Sequence, residues 1–190
     1  RKYLDFGAIN AMRDLHAQIS REVVRKDMAD HVKLGPGGIR EIEFMAQVFQ
    51  LIRGGRDPAL QIRPTLSVLK LLVDRKLIPA ETEQELREAY VFLRRLEHRL
   101  QYVEDKQTHM LPIDAGNRQN IAVSMEFSDW PSMLAVLDKH RDKVSRHFGA
   151  IFSDPEAGEH PLTGLWQGQL DEDTAIEAFG SLGYRQPKEA

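Results

Sequence analysis

The sequence predicts an all-α fold, a bundle of about five to six helices around a buried central helix. Apolar residues recur at three- and four-residue spacing through most of the chain, and few stretches carry the alternation of a strand. One segment, beginning at Ile39 and closing at Gly54-Gly55, is so apolar that it must be covered on several sides.

Ala8, Met12, Leu15, Ile19 and Val23 share a stripe of a helix over residues 8–28, with Arg13, Asp14, Gln18, Arg21, Glu22 and Arg25 elsewhere around it. His31, Val32, Lys33 and Leu34 are partly β-branched and run into Gly35-Pro36-Gly37-Gly38, so they read as extended chain. The central helix then carries Ile39, Ile42, Phe44, Met45, Val48, Phe49, Leu51 and Ile52 over most of its circumference. A narrow polar strip of Arg40, Glu43, Gln47 and Gln50 remains, while Glu41 projects into the Met45, Val48 and Ile52 face. Gly54-Gly55 is expected to end the helix, since glycine can adopt the left-handed conformation a helix end commonly needs.

A loop follows to Arg63, and Pro64 opens a helix to Lys76 with Leu66, Leu69, Leu72 and Val73 inward. Residues 80–103 form a long helix whose inner stripe is Leu86, Ala89, Leu93, Leu96, Leu100 and Val103, with Arg95, His98, Arg99 and Tyr102 on another face. Asp114 suits the N-cap of a shorter helix through Ile121, Ala122 and Met125, and Ser128 or Asp129 that of a long one to Phe152. The expected division is a bundle over 1–153, then a glycine-, proline- and acid-rich linker with the start of a further helical segment over 154–190.

Composition narrows the function. Among 190 residues, 42% are hydrophobic and 29% charged, ordinary values for a globular domain. A net charge of -3 gives no basic excess for binding nucleic acid. No apolar run is long enough to span a membrane. The absence of cysteine excludes disulfides, thiolate zinc sites and a cysteine nucleophile, and fits a cytoplasmic protein. The opening residues RKYLDFGAIN have neither an initiator methionine nor a signal-peptide core, so the chain reads as a piece of a larger protein.

Three constellations bear on chemistry. Gly37 and Gly38, at the start of a helix and flanked by Lys33 and Arg40, have the ingredients of a phosphate site, in which free amides, the helix dipole and two cations converge. The same glycines also suit a tight turn, and the spacing matches neither the Walker nor the dinucleotide pattern, so both readings stay open. Glu41 falls at the third helical position, where a carboxylate answers free amides or pairs with an arginine such as Arg95 or Arg99; its expected role is structural. Glu43, on the polar strip, is the better candidate for facing a site. Arg95, His98 and Arg99 are suited to phosphate or an acidic partner, or are simply solvated. His140 and His147 lack further ligands at metal-binding spacing, and His109 and His160 fall in loops, so no metal site is expected.

Two long motifs, KLGPGGIREIEFMAQVFQLIRGGRDPALQIRPTL and LRRLEHRLQYVEDKQTHMLP, resemble the glutamine synthetase adenylyltransferase family, also called glutamate-ammonia-ligase adenylyltransferase. Related helical domains occur in the PII uridylyltransferases. The resemblance implies a large cytoplasmic enzyme with two halves, each pairing a polymerase-β-type nucleotidyltransferase domain with a helical domain. One half adenylylates glutamine synthetase with ATP and Mg²⁺; the other removes AMP by phosphorolysis. Glutamine and the PII signalling protein set the balance. The GGIREIEF and LIRGGR wording is more like the N-terminal, deadenylylating half.

The family's catalytic Gly-Ser turn followed by closely spaced aspartates does not occur in this chain, so no catalytic residue is expected here. The resemblance therefore implies the helical accessory domain of the enzyme, inactive alone and binding no cofactor by itself. Lys33, Arg40 and Glu43 would face the adjoining nucleotidyltransferase domain. The alternative is a regulatory module that binds glutamine synthetase or PII.

Overall fold

A computed structural model describes residues 28–104 and 109–152 of the chain. These hold five α-helices, α1 (Ile39–Arg53), α2 (Thr65–Asp74), α3 (Ala80–Glu104), α4 (Ala115–Ser124) and α5 (Trp130–Phe152), plus a single 3-10 turn at Pro58–Leu60. Among the described residues the one strand-like feature is an isolated antiparallel bridge between His31 and Met110. The fold is all-α, as the periodicity predicts. The helix expected over 8–28 lies, apart from Met28, outside the described residues, as do the linker and the further helical segment expected from 154.

Helix starts follow the expected capping chemistry. Asp114 Oδ1 accepts the Asn117 amide at the head of α4, and Asp129 Oδ1 accepts the Ser132 amide at the head of α5. The short 3-10 turn, not anticipated within the 56–63 loop, is capped by Asp57, whose Oδ1 accepts the Ala59 amide.

The helix ends depart from expectation. Gly54 caps α1 in the right-handed region at φ −60°, its carbonyl held by the Gln61 amide side chain at 2.7 Å. Left-handed closure occurs instead at Lys76 and Glu126. The residue after each returns a long bond into its helix, from the Leu77 amide to the Leu72 carbonyl and from the Phe127 amide to the Ala122 carbonyl.

The core forms where the apolar stripes meet. Ile39, Ile42 and Met45 of α1, Leu69 and Leu72 of α2, Leu86, Leu93, Leu96 and Leu100 of α3, Ile121 of α4 and Met133 of α5 are all essentially inaccessible. α1 packs against α2 and α3, α2 against α3, and α3 against α4. Phe44 and Phe148 bring α1 to α5, with ring centroids 6.2 Å apart.

α1 sits in the core but turns differently from its expected orientation. Phe49 and Ile52 are half-buried, and Leu51, expected inside, is 70% exposed. Gln50, expected on the outer strip, donates through Nε2 to the carbonyls of Leu60 and Ile62, both at 2.7 Å. Glu43, also on that strip, meets the Tyr90 hydroxyl at 3.4 Å. Because the 60–62 loop and α3 take up that flank, the water-facing line of α1 becomes Arg40, Gln47 and Leu51.

Candidate functional site

The glycine-rich entrance to α1 is closed on itself. His31, Lys33 and Leu34 form a turn where extended chain was expected, because the His31 Nδ1 accepts the amides of Lys33 at 3.2 Å and Leu34 at 3.0 Å. A side-chain acceptor serving amides two and three residues on curls the backbone as an Asx turn does. The Gly35 amide donates to the His31 carbonyl, Gly38 to Gly35, Ile39 to Val32 and Arg40 to Lys33.

The Gly37 amide donates to Glu41 Oε2 at 3.1 Å. Every amide from Gly37 to Glu41 thus has an intramolecular acceptor. The free N–H groups on which a phosphate cradle at Gly37 and Gly38 would depend are already committed, and both glycines are buried. Gly37 has φ +66°, and a Cβ there would stand 2.5 Å from the Cα of Arg141 and 2.7 Å from its carbonyl carbon. Glycine is needed because α5 passes directly over the turn.

Glu41 is half-buried and reaches back to Gly37; neither Arg95 nor Arg99, the partners considered from sequence, pairs with it. Burial pushes its carboxyl up to about 7, opposed by the Gly37 amide bond. Arg95 instead meets Glu126 at 3.2 Å on the surface, and His98 and Arg99 are exposed. An exposed pair of this kind contributes little, about 0–1 kcal/mol.

Lys33, Arg40 and Glu43 are not joined in one bonded set. Lys33 is half-buried in the turn, Arg40 is exposed at the first turn of α1, and Glu43 faces Tyr90 of α3. Burial is the main cause raising the Tyr90 hydroxyl above its ordinary value.

The most deeply buried ionisable side chain among the described residues escaped the sequence reading. Glu97 of α3 is 2% exposed. Its Oε2 accepts from Arg94 Nη1 at 2.6 Å, and its Oε1 lies 3.0 Å from His109 Nδ1. The second contact is too oblique for a hydrogen bond and is an ion pair whenever the imidazole is protonated. The signal was available: on the helical wheel Glu97 falls beside Leu93 and Leu100, within the inner stripe.

His109 in turn stacks on His31, with ring centroids 5.2 Å apart. Its carbonyl accepts the Val32 amide at 2.8 Å, and the Leu111 amide donates to the Asp30 carbonyl at 3.1 Å. Burial, followed by the neighbouring His109, holds the His31 imidazole below its ordinary value.

Two charged groups belong to the packing of α5. Glu85 of α3 gathers Lys143, Arg146 and His147 at 3.1, 2.8 and 2.6 Å. The His147 bond is the largest cause holding its carboxyl down at about 2. Arg141 has buried Nε and Nη2 atoms without a hydrogen-bond partner, and desolvation draws its guanidinium below the usual range.

Among the described residues no group of three or more His, Asp or Glu side chains is placed to hold a metal ion. No helix among them is long and apolar enough to cross a membrane. A shallow groove between α2 and α3, lined by Leu66, Lys70, Asp74, Glu83 and Arg87 among others, involves none of the expected site residues.

Comparison with known proteins gives a consistent result. The family described as GlnD PII-uridylyltransferase matches residues 13–152. A bifunctional glutamine synthetase adenylyltransferase/adenylyl-removing enzyme of Aromatoleum aromaticum is 58% identical over 184 residues, covering 97% of this chain and 20% of that protein. Its namesake in Chromobacterium violaceum is 53% identical over 189 residues, covering 98% of this chain and 21% of its own length. That of Nitrosococcus oceani is 45% identical across the whole chain and 20% of its own. The chain thus spans about a fifth of the length of the curated relatives it matches.

Proposed function

Because the chain belongs to the glutamine synthetase adenylyltransferase family, with a domain of GlnD PII-uridylyltransferase type over residues 13–152, we propose that it is the helical accessory domain of the bifunctional adenylylating and deadenylylating enzyme. Its role is to dock against a nucleotidyltransferase domain of the same protein and shape that domain's cleft. The N-terminal, deadenylylating half is the better match to the GGIREIEF wording.

One observation carries this reading. α1 is a core helix with a fully bonded entrance, yet it leaves Arg40, Gln47 and Leu51 exposed along one line. A charge, an amide and a large aliphatic side chain in a row suit the mixed polar and apolar character of an interface between domains. Lys33 and Arg40 then act as side-chain cations at that seam, without the amide cradle. ATP and Mg²⁺ belong to the catalytic domain in this reading. Glutamine synthetase is the substrate, PII a regulator, and the cytoplasm the setting.

The exposed end of α3, where His98, Arg99 and an 81% exposed Tyr102 lie, favours a second role as a surface for glutamine synthetase or PII. In the full-length enzyme, Lys33→Ala and Arg40→Ala on one side and Arg99→Ala and Tyr102→Ala on the other separate the two. Lost turnover with unchanged affinity for glutamine synthetase and PII supports the accessory role; lost affinity with normal basal turnover supports the interaction module. Adenylyl transfer or phosphorolysis by the purified chain alone would overturn the accessory reading.

A further inference from the structure

The described part of the molecule holds a cluster of ionisable side chains around the buried Glu97 that no proposed step uses: Glu97, Arg94, His109 and His31. Its members come from three places in the sequence, namely α3, the segment after it, and the turn that leads into α1. Each link constrains the next. Arg94, a half-buried residue one turn earlier on α3, holds one oxygen of Glu97 at 2.6 Å, leaving the other directed at His109. The His109 ring stacks on His31 and its carbonyl takes the Val32 amide. The His31 Nδ1 then takes the amides of Lys33 and Leu34, while the Lys33 carbonyl takes the amide of Arg40.

A buried carboxylate carries a desolvation cost that pairing only partly offsets, so an apolar residue would have served stability as well or better. What the carboxylate adds is a charge 3.0 Å from His109 Nδ1, which holds that imidazole close when it is protonated, and the face of the His109 ring lies against His31. We infer that Glu97 is a positioning residue, which acts through His109 and His31 to hold the Val32–Leu34 turn in the register that presents Lys33 and Arg40. This rests on the reading of Lys33 and Arg40 as cations at the seam with the catalytic domain.

The test uses the full-length enzyme with Glu97→Gln, which keeps the shape of the side chain and removes its charge. Amide hydrogen exchange is expected to speed up at Val32, Lys33 and Leu34 while Leu93 and Leu96 in α3 keep wild-type protection. Turnover should fall by about tenfold to a hundredfold with KM for glutamine synthetase unchanged, the cost of a small misplacement far from the chemistry. His109→Asn provides a second variant, with the same local loss expected, should the first lose its fold. Restoration of protection and turnover by Glu97→Asp would support positioning by charge.

Unchanged exchange at Val32, Lys33 and Leu34 in both primary variants would overturn the inference. Faster exchange there with wild-type turnover would equally remove the positioning role. Failure of the underlying docking reading has its own signature, full turnover in Lys33→Ala and Arg40→Ala with protection at Val32 and Leu34 intact.

Discussion

Gly37 and Arg141 touch backbone to backbone: the position a Cβ would take on Gly37 is occupied by the main chain of Arg141 in α5. Two independent penalties follow for any larger residue. A left-handed φ costs an L-residue about 1–2 kcal/mol, and forcing α5 aside costs about 1–3 kcal/mol as overpacking does. Gly37→Ala should therefore lower stability by about 2–5 kcal/mol in urea melts. A loss below about 0.5 kcal/mol would mean that α5 does not lie over the turn.

Glu41 makes stability depend on pH in the direction opposite to an ordinary ion-paired carboxylate. Its folded value, about 7, lies above the ordinary 4.5, so over this interval the folded protein binds more protons than the unfolded chain and stability falls as pH rises. Glu41→Gln keeps an oxygen for the Gly37 amide and removes the titration. The variant should match the wild type near pH 4 and exceed it at pH 8 by about 3 kcal/mol, from the size of the shift. Thermal melts of both proteins across this range check it.

Glu85 behaves in the ordinary sense. Held at about 2 by His147, Lys143 and Arg146, it contributes stability above about 4.5 that is lost as pH falls toward 2. Its carboxylate is close to solvent, so screening limits the contribution to under about 1 kcal/mol. Glu85→Gln should flatten this part of the acid limb in a pH series of melts, and 1 M salt should shrink the difference between the two proteins.

Leu51 and Ile42 form a matched pair on α1, one 70% exposed and the other inaccessible. Ile42→Ala should cost about 2–5 kcal/mol by loss of packing, whereas Leu51→Gln should stay within about 0.5 kcal/mol. Equal losses would show that α1 is rotated relative to the structure. In the full-length enzyme Leu51→Gln should nevertheless weaken turnover, measurable alongside the melts, if this line of α1 meets the catalytic domain.

The sequence makes the helices legible because each depends on local signals. Apolar periodicity locates α2, α3 and α5, aspartates mark the starts of α4 and α5, and the inner stripe of α3 from Leu86 to Leu100 is buried as read. What it conceals is tertiary choice. Whether Leu51 or Gln50 faces water depends on where the 60–62 loop lies, and no pattern within α1 reveals that. The commitment of the glycine amides likewise depends on Glu41, which takes that of Gly37, and on the turn that the His31 side chain holds through the amides of Lys33 and Leu34. Glu97 is the instructive case, since the wheel placed a charge in the core and its partners, Arg94 one turn earlier and His109 from beyond α3, explain why it stays there.

The closure of the glycine turn also sets a condition on when this domain becomes complete. The amide of Val32 waits for His109, and Gly37 is covered only by Arg141, about a hundred residues further along the chain, a span whose closure entropy is met before the contact repays it. A chain leaving the ribosome has therefore synthesised all of α1 long before its entrance can lock. Truncation ahead of α5 should leave Gly37 uncovered, so the packing over this turn is finished only when α5 has been made.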